Sequence, residues 1–428
     1  MVITANNNEI QNTTHRVVIP FYVYAAVSFL AATALLFFSG DAFTQHYFHP
    51  RILAITHTMA LGWGTMIILG ASYQLVPVLI EARLYSNTLA YASFILAGTG
   101  IPLLVYSFFS FRFGILAQAG AVLINAALAC YLLDVALSIS KSKKRNVHAS
   151  FVLTAAAWLL VTTLTGLLLV FNFTMDFLPK DSLHYLSLHA HIGIAGWFLL
   201  LVIGVGSRLI PMFLISKYDN PAALRRIYYL VNGAILLFIL LFFAGTAPVL
   251  YMLPLALVLL ALLLFALYCR KAWQQRIRKQ VDEQVRISLL SVVMMVLPVV
   301  LLLAVIVLLL FSFNNIELVL AYGFSIFFGW LTAIILGMTF KTLPFIVWNK
   351  VYHNKAGLGK TPNPKDLFHE GVFNKMALCY LAGFCLFIAG VLLGSTTGLQ
   401  VASGLLFITA VLYNFNILKM LRHKAEIK

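Results

Sequence analysis

Twelve times along this chain a stretch of about twenty or more residues runs almost free of charge, long enough for an α-helix to cross a hydrocarbon core. The stretches fall at 17–39, 52–80, 88–109, 113–138, 150–174, 186–215, 225–244, 248–269, 287–312, 317–347, 372–394 and 397–419, and the second, sixth and tenth are the longest. A bilayer interior offers backbone amides no water, so only helices or a closed barrel cross it, and the alternating segments of about ten residues that mark a barrel are absent. The fold class that follows is an all-α membrane protein with twelve transmembrane helices. Of the 428 residues, 62% are hydrophobic and 10% charged, against about 45–50% and about 25% in soluble domains. That balance excludes a soluble globular, disordered or disulfide-scaffold protein.

Lysine and arginine collect in alternate connections. Lys141, Lys143, Lys144 and Arg145 follow span four, and Lys217, Arg225 and Arg226 follow span six. Arg270, Lys271, Arg276, Arg278, Lys279 and Arg286 follow span eight, and Lys350, Lys355, Lys360, Lys365 and Lys375 follow span ten. The tail adds Lys419, Arg422, Lys424 and Lys428. Cytoplasmic loops carry such an excess, so both termini are expected inside, in a bacterial inner membrane. The net charge of +16 then faces anionic lipid and implies no nucleic acid. The polar N-terminal stretch shows no short apolar region with a cleavage site, so no removable signal peptide is expected. Cys130, Cys269, Cys379 and Cys385 form no CxxC pair and read as small buried hydrophobes.

Three segments align without a gap: HTMALGWGTMIILGASYQLVP from His57, HIGIAGWFLLLVIGVGSRLIP from His191 and FSIFFGWLTAIILGMTFKTLP from Phe324. Each places Gly before Trp, Gly seven residues on and Pro seven further: Trp63/Gly70/Pro77, Trp197/Gly204/Pro211 and Trp330/Gly337/Pro344. With 26 Gly and 13 Pro, a given Trp would have both partners by chance roughly 0.2% of the time. The phase predicts one transmembrane domain, 1–428, built of three pseudo-symmetric four-helix arcs at about 17–138, 148–270 and 287–420. Gln74, Arg208 and Lys341 stand three residues before each Pro and fit the cytoplasmic boundary, where long cations snorkel. Asp134 and Glu81 also fall near that boundary.

Six of eleven histidines fall toward the outer side: His46, His49, His57, His184, His189 and His191. Ionisable side chains inside a membrane are expensive, and imidazole is the commonest metal ligand. His57 and His191 share one repeat position, so a rotation relating the repeats is expected to set both rings at one depth around a common centre. Two opposed imidazoles suit the axial bonds of a low-spin haem. Gly64, two α-turns below His57, is expected to leave room for a porphyrin. His184, seven residues before His191, shares its face if the helix extends so far, while His189 is about 200° round the helix and is expected to point elsewhere. His46 and His49 are further metal candidates. His148, His353, His369 and His423 lie in basic inner loops and read as solvated residues.

The repeat, the histidines at the outer ends of spans two and six, and the inside termini together resemble the catalytic subunit of haem-copper oxidases and nitric oxide reductases over the whole chain. The resemblance implies twelve helices in three arcs, an axial histidine from span two matching His57, and a copper-ligating histidine from span six matching His191 or His189. Span seven (225–244) lacks the family's two copper-ligating histidines, and span ten (317–347) lacks its two haem-ligating ones, with Phe324 at the repeat position. A conventional oxygen-reducing dinuclear centre is therefore excluded. The NnrS family, twelve-span haem and copper proteins implicated in nitric oxide tolerance, is similar in the location of its outer histidines.

Two readings of different class follow. The first is a haem b protein, ligated by His57 and one of His191 or His189, in electron transfer or nitric oxide and dioxygen handling. The second is a copper-binding transporter, or a cofactor-free accessory subunit, using the same shell. The bilayer is a partner in both, and a redox partner or a second copy of the chain is a further one in the first.

Overall fold

The computed structural model describes residues 15–142, 146–277, 282–313, 315–353 and 361–425. Lys143, Lys144, Arg145, Arg278, Lys279, Lys355, Lys360 and Lys428 of the inner charge lie outside the described residues, as does the polar N-terminal stretch up to Thr14. Twelve helices are long and apolar enough to cross a membrane: α1 (His15–Phe37), α2 (Pro50–Ile80), α3 (Asn87–Phe109), α4 (Ile115–Ser140), α5 (Val147–Met175), α6 (Leu186–Leu214), α7 (Pro221–Phe243), α8 (Pro248–Gln274), α9 (Glu283–Leu310), α10 (Ile316–Tyr352), α11 (Glu370–Leu392) and α12 (Thr396–Leu421). They coincide with the twelve stretches read from the sequence, and the chain is a membrane-spanning all-α protein. Side-chain caps start several of them. Ser86, Asn146, Asn220, Asn315 and Ser395 each accept the N–H three residues on, satisfying a donor that the first turn leaves open.

Each helix packs on its neighbours in chain order, and α12 returns onto α1. The three repeat-bearing helices take the centre: α2, α6 and α10 are buried over 72, 78 and 67% of their most apolar stretch, and the other nine over 22–56%. Each central helix also widens into a π-helical segment at the same repeat position: Thr58–Thr65, Ile192–Leu199 and Ser325–Leu331. Their i→i+5 hydrogen bonding turns each residue through a smaller angle than an α-helix does, so face assignments made at 3.6 residues per turn drift across these segments.

Repeat contacts recur between units. The Gly seven residues after each Trp is where the unit's first helix crosses. A Cβ on Gly70 would lie 2.7 Å from Phe21 Cβ, one on Gly204 would strike Phe151 Cβ, and one on Gly337 would strike Ser288 Oγ. From the unit's last helix a tyrosine hydroxyl donates to the second: Tyr131 to Ser72 Oγ at 3.0 Å, Tyr268 to the Ser207 carbonyl at 3.1 Å and Tyr413 to Thr339 Oγ1 at 3.1 Å. Pro77 and Pro211 precede helix ends by three residues, after which Glu81 and Ile215 take left-handed conformations, whereas α10 continues eight residues past Pro344.

Asp134 is fully buried near the C-terminal end of α4, and its Oδ1 accepts the Ser86 N–H at 2.9 Å. Asn416, the residue three past the repeat tyrosine in the third unit, accepts the His369 N–H at 2.9 Å in the same way. The shared geometry makes Asp134 an anchor for the start of α3. Asp134→Asn keeps the acceptor and should leave the thermal midpoint in detergent nearly unchanged. Asp134→Ala strands the partly buried Ser86 N–H and should cost about 1 kcal/mol.

Three residues before their prolines, Lys341 pairs with the Asp282 carboxylate and Arg208 is exposed. Two expectations need correction. Cys385 is exposed on α11 rather than buried. His148 is buried, its Nδ1 within hydrogen-bond distance of the Gly204 carbonyl at 3.0 Å and Ser207 Oγ at 3.1 Å, and His423 Nε2 meets Tyr352 OH at 2.8 Å. Neither is a merely solvated residue, because α5 and the tail pack back onto the central helices.

Candidate functional site

His57 ends the α-helical turn that leads into the π segment of α2, and His191 does the same on α6. Each ring is held from below by its own helix: His57 Nδ1 lies 2.8 Å from the Leu53 carbonyl and His191 Nδ1 lies 2.7 Å from the Ser187 carbonyl. His189 reaches sideways instead, with Nδ1 3.0 Å from the Thr162 carbonyl of α5. A carbonyl only accepts, so Nδ1 carries the proton in all three rings and Nε2 presents a lone pair. No hydrogen-bond partner of those three Nε2 atoms occurs among the described residues.

The rings that come together are His57 and His189, with centroids 6.4 Å apart and planes within 17° of parallel. Phe108 of α3 closes the other side of His57 at 4.4 Å. His191 instead sits between Phe238 of α7, at 5.2 Å, and Tyr322 of α10, at 5.9 Å. The expected pairing of His57 with His191 is thus replaced by one with His189, the histidine assigned to another direction. The reason is geometric. Residues related by rotation meet only on the axis; away from it, each faces a different residue of the next unit. Position 57 becomes 191 and then 324, while the residue it faces, 189, becomes 322. His57 with His189 and His191 with Tyr322 are therefore equivalent interfaces, and the Phe rings of α3 and α7 lean on them at 49° and 50°. At the third position Phe324 stacks on Phe387 at 3.9 Å and on Phe328 at 4.7 Å, and the imidazole is replaced by packed aromatic rings.

Two glycines decide what fits nearby. Gly166 makes room for the imidazole of His189: a Cβ there would lie 2.9 Å from His189 Cε1. Gly64 does not open the space expected of it, because Phe198 of α6 occupies it, 3.1 Å from where a Cβ would stand. The seven residues from His57 to Gly64 run through the π segment and do not complete two turns, so Gly64 leaves the face of His57.

His46, His57, His184, His189 and His191 line one cavity of about 1400 Å³, whose lining includes no Lys, Arg, Asp or Glu. It exceeds the range of about 300–1,000 Å³ usual for small-molecule sites. His46, His49 and His184 have local contacts of their own. His46 is exposed, and its Nδ1 accepts the Phe48 N–H at 3.1 Å. His49 caps α2 through the Arg51 N–H at 3.3 Å, and partial burial together with the Arg51 guanidinium holds its pKa below the usual imidazole value. His184 is exposed and packs on Tyr185 and Phe242. Among the described residues no three His, Cys, Asp or Glu side chains converge as a metal-binding group, so the candidate centre is a two-histidine one.

Sequence reasoning missed Gly166 and Tyr322, and it left His189 as an alternative to His191 beside His57. The available signal was the register of the repeat, since Tyr322 stands two residues before Phe324 as His189 stands two before His191. No protein-family model matches this chain, and no curated protein matches it.

Proposed function

We propose that the chain is a membrane-embedded haem b protein of electron transfer, with His57 and His189 as the axial pair. The observation that carries this reading is the pair of near-parallel imidazoles, 6.4 Å apart, each with Nδ1 tied to a backbone carbonyl and Nε2 left open. Two metal–nitrogen bonds of about 2.0–2.1 Å, plus the reach from each nitrogen to its ring centre, place the centroids about 6 Å apart. The adjoining cavity of about 1400 Å³ and its uncharged lining suit the apolar body of the macrocycle, whose two propionates would have to extend beyond that lining. Haem b bound there supplies a one-electron couple, and two protein ligands favour electron transfer over turnover of nitric oxide or dioxygen.

The protein's own contribution is orientation. The Leu53 and Thr162 carbonyls fix the two tautomers, and Gly166 gives the His189 ring its place. Gly166→Ala should push that ring off Thr162 and weaken cofactor retention about 10–100-fold, read as haem lost per protein on dilution. The alternation of lysine and arginine supports cytoplasmic termini in a bacterial inner membrane, so the histidines face the outer side. Electrons would then reach the site from a redox partner or a second copy on that side.

A second reading has its own support. Phe198 fills the gap at Gly64, and a bare copper ion needs only the two nitrogens. Protein purified in mild detergent separates the two. A Soret band with sharp reduced-state bands is the haem result. A colourless protein with one copper per chain, lost from His57→Ala, gives the transporter class instead, and a metal-free one leaves an accessory subunit.

A further inference from the structure

At the centre of the molecule the repeat tryptophans donate in rotation. Trp63 Nε1–H bonds Thr332 Oγ1 of α10 at 3.1 Å, and Trp197 Nε1–H bonds Thr65 Oγ1 of α2 at 3.1 Å. Thr65 and Thr332 both stand two residues after their own Trp, so the third acceptor belongs at position 199 of α6. That residue is Leu199. Trp330, 3% exposed, accordingly has an indole N–H with no partner among the described residues. A buried unpaired donor is costly, the more so where no water reaches.

Leu199 and Trp330 both line the cavity, as do Trp197 and Thr65, but only Trp330 among these brings an unpaired donor to it. Around this side of the cavity the wall is aliphatic, from Leu255 and Val258 of α8 and Val299 and Leu302 of α9, and the outer end carries Tyr322 and His191. A charged head group has no counter-ion there.

We propose that the unpaired Trp330 N–H is the hydrogen-bond donor of a binding site, between α6 and α10, for an uncharged lipid-soluble molecule bearing a carbonyl acceptor. The N–H has no accessible surface while Leu199 stands where the other two crossings have a threonine, so the ligand's carbonyl reaches it as that side chain turns aside, and the apolar body lies against α8 and α9. This site uses neither His57 nor His189 and stands whether or not they hold a cofactor.

The test uses the full chain in dodecyl maltoside, a detergent without a carbonyl, with binding read from tryptophan quenching by decyl-benzoquinone. A monoacylglycerol and decylbenzene serve as competitors. The wild type should bind the quinone saturably, the monoacylglycerol competing if esters are the natural class, and decylbenzene failing to compete. Leu199→Thr supplies an internal acceptor, and Leu199→Val matches its shape without the hydroxyl. Leu199→Thr should bind roughly five- to tenfold more weakly than Leu199→Val. Adding Trp330→Phe to both should erase that difference. Equal binding by the Thr and Val variants, equal competition by decylbenzene, or no saturable quenching in the wild type each overturns the proposal.

Discussion

On the proposed haem reading, His57→Ala and His189→Ala should each remove the low-spin haem spectrum, while His191→Ala should leave it in place. The contrast is the sharpest available, because the repeat register alone pairs His57 with His191. The ring geometry pairs it with His189, at 6.4 Å, and seats His191 between Phe238 and Tyr322. Removing an axial imidazole forfeits a metal bond rather than a supporting hydrogen bond, so affinity should fall by more than the roughly 10–100-fold typical of outer-shell changes. Reduced-minus-oxidised spectra of the three variants, normalised to protein, read the result. A spectrum that survives His189→Ala and disappears in His191→Ala would reverse the assignment.

Gly204→Ala should be the most damaging single methyl in the molecule. The added Cβ would strike Phe151 Cβ, which is fixed to the α5 backbone and cannot rotate away, so α5 and α6 must separate. Overpacking a close-packed core typically costs about 1–3 kcal/mol and occasionally more, and a backbone-to-backbone crossing belongs at the upper end. Gly70→Ala, facing Phe21 Cβ at 2.7 Å, should follow closely. Gly233→Ala is the matched control, since nothing lies within 4 Å of its Cβ on α7 and alanine favours the helix by about 0.8–1.0 kcal/mol. Thermal unfolding in detergent should therefore move in opposite directions for Gly204→Ala and Gly233→Ala. A Gly204→Ala protein as stable as wild type would mean that the helices crossing there have slack.

The sequence by itself determined the twelve spans, because crossing a bilayer demands length and apolarity, which are local properties of a stretch of chain. It determined the repeat as well: the Gly before each Trp, the Gly after it and the Pro beyond recur at fixed spacing, and the structure puts the second Gly under the unit's first helix every time. It also marked out His57, His189 and His191 as unusual, since an imidazole within a span has few structural excuses. Only the tertiary structure decided which rings meet. His189 turns to His57 where Gly166 on α5 leaves the imidazole a place, while His191, two residues on along the same helix, faces Phe238 and Tyr322. The filling of the Gly64 space by Phe198, the burial of His148 and the unpaired Trp330 N–H belong to the same class. Each depends on how one helix is rotated and advanced against another, and no periodicity within a single helix carries that information.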